Sequence, residues 1–159
     1  MSYITYLSLT GKKQGLISAG CSTPVSIGNR YQVGHEDQIQ ILSLNHTITR
    51  EQNSDHHPIQ FIKPIDKSSP LLGVAISENE LLEGVFTCYR TSPSGYLELF
   101  YEIKVFKCML VELSATYPHS INDNNNMPYE KALLKYESIV WSHKMAGTSG
   151  YSFWEDRVY

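Results

Sequence analysis

The stretch "YLELFYEIKVF", residues 96–106, alternates apolar and charged side chains, and this limits what the chain can fold into. Leu97, Leu99, Tyr101, Ile103 and Val105 fall on one face of an extended chain, with Glu98, Glu102 and Lys104 on the other. A period of two predicts a half-solvated strand, because successive side chains of a strand point to opposite faces. "KCMLVELSATY" (107–117) puts Met109, Val111, Leu113 and Ala115 on one face, and "EKALLKYESIVW" (130–141) alternates again. "YITYLSL" (3–9), "IQFIKPI" (59–65) and "LLEGVFTCYR" (81–90) read as further strands, and "TSPSG" (91–95) as a turn.

"QIQILSLNHTIT" (38–49) is rich in Ile and Leu, but its apolar phase slips at Ile41-Leu42. The slip predicts a bulge or a strand buried on both faces. Pro64 lacks an N–H and marks a sheet edge or a strand end. Residues 11–37 are rich in turn formers and read as a long loop that holds a short strand, with "TGKKQG" as a turn. Ser68-Ser69-Pro70 gives the one good helix start, a serine N-cap with proline at the first helical position. The helix "PLLGVAI" that follows is short and weakened by Gly73. Residues 118–128 form a polar loop. The sum is about eight strands, one short helix and antiparallel hairpins. The fold class is mainly β: a small antiparallel β-barrel of two packed sheets with one short flanking α-helix, a single domain over residues 1–159.

Hydrophobic residues make up 42% of the 159, enough for a full core, and the net charge of −3 argues against a nucleic-acid partner. Cys21, Cys88 and Cys108 are odd in number and form no C-x-x-C, so free thiols in a reducing cytosol are expected. The longest apolar run, around Leu71–Ile76, is about six residues, well short of the ~20 that span a bilayer. Lys12 and Lys13 follow the apolar N-terminal stretch, the reverse of a secretory signal, so no membrane span and no cleaved signal are expected.

Chemistry-bearing motifs are sparse. His56 and His57 are adjacent and point to opposite sides of an extended chain, which does not suit one metal ion. A solvated loop pair is the expectation. "GTSGY" (147–151) only loosely resembles a nucleophile elbow and lacks its strand-to-helix context. Glu98, Glu102 and Glu112 read as the outer face of paired strands, and "NDNNN" (122–126) as a turn. No catalytic residue, cofactor or metal is expected. The residues alone point to an assembly protein, with a monomeric β-sandwich binding carbohydrate or peptide as the alternative.

"FIKPIDKSSPLL" (61–72) adds to this reading. Phe61, Lys63, Asp66, Ser69 and Pro70 match the F-x-K-x-x-D-x-x-S-P-x-L pattern of the Hcp family, the haemolysin-coregulated tube proteins of bacterial type VI secretion. The order of segments from "YLSL" to "TSGYSFWEDR" resembles that family along essentially the whole chain. The resemblance implies a structural tube subunit and not an enzyme. Six copies would make a ring, and rings would stack into a hollow tube that can carry small effectors in its lumen. The implied partners are other copies of the chain, a spike protein and a contractile sheath. The protein would be made in the cytoplasm and secreted by the type VI machine without a signal peptide. The chain stops after the closing segment, so no C-terminal toxin extension is expected. Lys63 and Asp66 can pair within the subunit or across a ring joint. Arg50, Glu51, Gln52, Asn53, Ser54, Asp55, His56 and His57 occupy the place of the ring-stacking loop. Tyr151, Phe153 and Trp154 are expected to pack on the barrel, with Glu155, Asp156 and Arg157 near a subunit edge.

Overall fold

The computed structural model describes residues 3–122 and 125–155. β1 (Tyr3–Gly11) pairs along its whole length with β8 (Leu82–Thr91), from Tyr3 opposite Arg90 to Gly11 opposite Leu82. Its other edge takes β2 (Gly15–Leu16) and β3 (Ile39–Ile41). β9 (Leu97–Thr116) is long enough to serve two sheets. Its first half lies between β8 and β11 (Ser138–His143), and its second half pairs with β10 (Tyr129–Lys135). β7 (Ile59–Pro64) then joins β10, β4 (Ser43–Asn45) joins β7, and β12 (Thr148–Phe153) closes on β11 as an edge strand. β5 (Ile48–Arg50) and β6 (Ser54–His56) form a hairpin of their own.

The two sheets share β9 on one side. On the other side the chain crosses between them at Leu42, whose N–H donates to Ile62 O at 2.7 Å. The slip at Ile41-Leu42 is therefore a change of sheet, with β3 on β1 and β4 on β7, and not a bulge in one continuous strand. The architecture is mainly β, two sheets with a short helix, α2 (Ser69–Ser77), packed against β9. Between the sheets lie Leu7, Leu9, Ile59, Phe61, Phe86, Val105 and Leu134, all inaccessible to solvent. Phe61 and Phe86 meet edge to face at 5.7 Å.

Residues 96–117 form one strand where the alternation predicted two, and its inward face changes parity. Ile103 and Val105 point inward, then Cys108 and Leu110. The first change is at Phe100, where Cys88 faces Tyr101 and Tyr89 faces Leu99; Lys107, at φ 49°, makes the second, with Leu82 opposite Cys108 and Gly84 opposite Val105. Val111 makes the third: Leu133 faces Glu112 and Leu134 faces Leu110, so Val111 has no partner on β10 and stays exposed. A bulge inserts one residue and swaps the faces beyond it. The expected inward set Met109, Val111, Leu113 and Ala115 is thus only partly right, since Leu113 alone packs on the core. "EKALLKYESIVW" likewise divides at Tyr136-Glu137 into β10 and β11, which run one after the other along β9.

The segment 11–37 is more than a loop. It holds β2, a single turn of helix, α1 (Pro24–Ile27), and a 3-10 turn at Gly28–Arg30. Ile17, Ser18, Cys21 and Ser22 on it are buried. Glu80, also buried, fastens its start. Glu80 Oε2 accepts the N–H groups of Lys13 and Gln14, each at 3.0 Å, and Oε1 accepts Gln14 Nε2 at 3.0 Å. Burial pushes the Glu80 carboxyl up, but these donors outweigh it and hold the group below the usual carboxylate value. Its contribution to stability is therefore present above the unfolded carboxylate value of about 4.3 and lost as pH falls through the folded value.

Two glycines should respond in opposite directions. A Cβ on Gly73 in α2 would meet nothing within 4 Å, so Gly73→Ala is expected to stabilise the chain by about 0.5–1 kcal/mol. A Cβ on Gly11 would clash with Glu80 Oε2, and Gly11→Ala is expected to destabilise by about 1–3 kcal/mol as the carboxylate is pushed aside. Urea unfolding midpoints of the two variants check this.

Candidate assembly site

The residues of "FIKPIDKSSP" converge at the end of β7. Inward positions on β7 are Ile59, Phe61 and Lys63, so the alternation that buries the apolar side chains also buries a lysine. Lys63 is completely inaccessible to solvent. Its cross-strand neighbour on β10 is Glu130, and Lys63 Nζ lies 2.7 Å from Glu130 Oε1. Nζ also lies 3.0 Å from Asp66 Oδ1 and donates to Pro64 O at 3.0 Å and Ser69 Oγ at 3.2 Å. The Ser69 hydroxyl donates to Glu130 Oε1 at 2.6 Å and accepts the Asp66 N–H at 3.0 Å. The Lys63–Asp66 pair closes within one chain.

The helix start differs from the expected serine cap. Ser68 occupies the N-cap position of α2, but its side chain makes no cap bond to the helix. Its hydroxyl donates to Asp66 Oδ1 instead, as does its own N–H at 2.9 Å. Asp66 thus shapes the turn that precedes the helix, while Pro70 sits exposed in the first turn.

The stacking-loop segment is an ordered arm. Arg50 ends β5, and Glu51 and Gln52 are exposed at the tip. Asn53 and Ser54 are half-buried, and Asp55 is exposed. The two histidines part, and the expectation of a solvated pair fails for one of them. His57 is exposed, with Nε2 3.9 Å from Asp55 Oδ2. His56 is buried at 3% exposure. Its Nδ1 is 2.6 Å from the Tyr136 hydroxyl, and its Nε2 is 2.9 Å from Ser152 Oγ. The same Tyr136 oxygen lies 2.7 Å from His46 Nε2. Burial pushes the Tyr136 hydroxyl well above its ordinary value, so it remains a neutral phenol.

The closing strand also divides by face. Trp154 packs on the core, stacks on His56 at 5.8 Å and meets Tyr136 edge to face at 5.0 Å. Tyr151 and Phe153 do not pack on the barrel as expected; they are 72% and 44% exposed. The reason is alternation on an edge strand: Ser152 and Trp154 take the inner side, and Tyr151 and Phe153 take the outer side, where they contact each other edge to face at 5.8 Å. Glu155 is exposed, and Asp156 and Arg157 lie outside the described residues.

A family profile described as "Type VI secretion system effector, Hcp" matches residues 6–143. The "Major exported protein" of Pseudomonas aeruginosa is 37% identical over 171 residues, covering 99% of each chain. This chain belongs to the Hcp family. Solved Hcp structures share its fold. A "Crystal structure of Hcp protein" superposes with a TM-score of 0.91 at 32% identity, covering 98% of this chain and 99% of the other. The "Secreted protein Hcp3 from Pseudomonas aeruginosa" gives 0.88 at 36% identity, covering 98% and 100%. Hcp proteins are secreted tube proteins, not enzymes, and the site of interest on such a chain is the surface by which it assembles. Among the described residues no helix is long and apolar enough to cross a membrane.

Glu130, Tyr136, His46 and Ser152 escaped sequence reading. Glu130 left a usable signal, since it shares the inward phase of Ala132 and Leu134.

The division of the tail is testable. Trp154→Ala is expected to lower stability by about 2–3 kcal/mol, somewhat less than truncating a fully buried aromatic. Tyr151→Ala is expected to stay within about 0.5 kcal/mol of the parent, as exposed substitutions do. Equilibrium urea unfolding of the two proteins reads the contrast.

Proposed function

We propose that six copies of this chain close into a ring, that rings stack into a hollow tube, and that the β5–β6 arm reaches the next ring. The observation that carries the reading is the pairing of the arm. Among the described residues β5 and β6 pair as strands only with each other, so no strand of the body extends onto the arm. Its tip, Arg50 to Gln52, is polar and exposed, which suits a contact between subunits that are made separately. The exposed Tyr151–Phe153 pair on edge strand β12 supplies the second surface, an aromatic patch beside unpaired backbone groups for the ring joint. A sheath, a spike and small cargo in the lumen complete the reading. So do synthesis in the cytoplasm and export by the type VI machine.

Native mass spectrometry is expected to give a species near six times 18.1 kDa. Tyr151→Asp should shift it toward monomer while leaving the unfolding curve in place. Replacing residues 50–54 with a short Gly-Ser turn, which spares His56, should preserve the ring and abolish both tube formation and export. A parent protein that stays monomeric at high micromolar concentration contradicts the ring. A shortened protein that still stacks and is exported contradicts the role of the arm.

A further inference from the structure

The side-chain hydrogen bonds that carry residues 48–56 to the ten-stranded sheet, among the described residues, both come from His56. They belong to a chain of four groups on four segments. His46 precedes β5, Tyr136 follows β10, His56 ends β6, and Ser152 lies on β12. We propose that this chain is a latch: with neutral imidazoles it pins the β5–β6 arm to the body, and protonation in mild acid frees the arm. The link from the arm to stacking rests on the tube reading above; the latch itself does not.

The hydrogen count gives the mechanism. The Tyr136 oxygen faces one nitrogen of each histidine, at 2.7 and 2.6 Å. A phenol offers one O–H donor, so with neutral rings it donates to one histidine and accepts N–H from the other. Adding a proton to the ring that was the acceptor aims a second N–H at the oxygen. The phenol hydrogen is then left without a partner in a buried site. A proton on each ring would put two cations on either side of one hydroxyl.

The surroundings offer no relief. Asp55 and His57 flank His56 along the chain, and Asp55 is 75% exposed on its side chain and engaged with His57. Lys135 Nζ lies over the Trp154 ring at 5.1 Å, adding positive charge from β10. On β9, the buried Cys108 thiol is near Tyr136 and stays neutral, because burial pushes it up to about 12. Among the described residues, no carboxylate makes a hydrogen bond or an ion pair with His46 or His56. Burial, then the neighbouring imidazoles, pushes His46 down to about 4. Burial likewise holds His56 below the ordinary imidazole value, against a partial pull upward from Asp55.

The sign follows. These folded values lie below the free imidazole value of about 6.5, so the pinned arm is fully stable above it. Pinning is lost progressively as pH falls from there toward the His46 value of about 4. Release of the arm alone is the cheapest way to solvate both rings, because β5 and β6 pair only with each other.

Amide hydrogen exchange between pH 7.5 and 4.5, corrected for intrinsic rates, tests the latch on the full chain. Protection of residues 48–56 is expected to fall by about tenfold or more, the ratio that one pKa unit of differential proton binding gives, while β8 and β9 stay protected. In a His46→Gln/His56→Gln protein, which keeps polar groups there without a titrating ring, the fall should shrink below about threefold. Tyr136→Phe should leave the arm poorly protected even at pH 7.5. Flat protection in the parent overturns the latch, and so does an undiminished fall in the double variant. Electron microscopy of tubes over the same range separates the two ideas. Release without loss of stacking keeps the latch and removes the stacking role of the arm; loss of stacking with the arm still protected overturns the latch.

Discussion

The ammonium group of Lys63 has no access to water, and much of the fold is arranged to hold it. An unpaired buried charge costs several kcal/mol, and breaking a buried pair typically costs about 3–5 kcal/mol. The match comes from Glu130 directly across the β7–β10 ladder and from Asp66 three residues on. A one-residue slip between β7 and β10 would turn Lys63 to the opposite face from Glu130 and leave both charges stranded. The ion pair therefore sets register, and the apolar partners Phe61 and Ala132 come into place with it. The same group of residues begins the helix: Asp66 receives the Ser68 N–H and hydroxyl, and Ser69 bonds to Glu130.

What lies downstream of this corner is the proposed assembly surface. β10 runs from Glu130 to the buried Tyr136, which meets the arm through His56 and the tail through Trp154. β11 and β12 continue along and beyond β9 and end on the exposed Tyr151–Phe153 pair. The Hcp chain thus combines a body held by buried charge and apolar packing with two projecting features, an arm and an aromatic edge. Each projecting feature is anchored on its inner side and free on its outer side.

Period-two patterns in the sequence identified the class, and β1, β7, β8 and the start of α2 lie close to where those patterns put them. The motif at residues 61–72 pointed to Lys63, Asp66 and Ser69, and they do converge. What escaped reading depended on partners distant in sequence. Glu130 shares the inward phase of Ala132 and Leu134, but its partner shows only when β10 is set against β7. The bulges at Phe100, Lys107 and Val111 change which residues of β9 face inward without any proline or glycine on that strand to announce them. "HH" cannot say which ring is buried; that follows only from Tyr136 and Ser152, which lie 80 and 96 residues from His56.

The account depends most on the coupling between Lys63 and Glu130. A double-mutant cycle with Lys63→Met, Glu130→Met and the combined variant, read by urea unfolding, measures it directly. Lys63→Met leaves Glu130 without its cation, Glu130→Met leaves Lys63 with Asp66 alone, and the combined change removes both members of the pair. The two are therefore expected to couple by about 2 kcal/mol or more, with the double variant more stable than the sum of the singles requires. Additivity within about 0.5 kcal/mol would contradict the claim that this buried pair fixes the register of the fold.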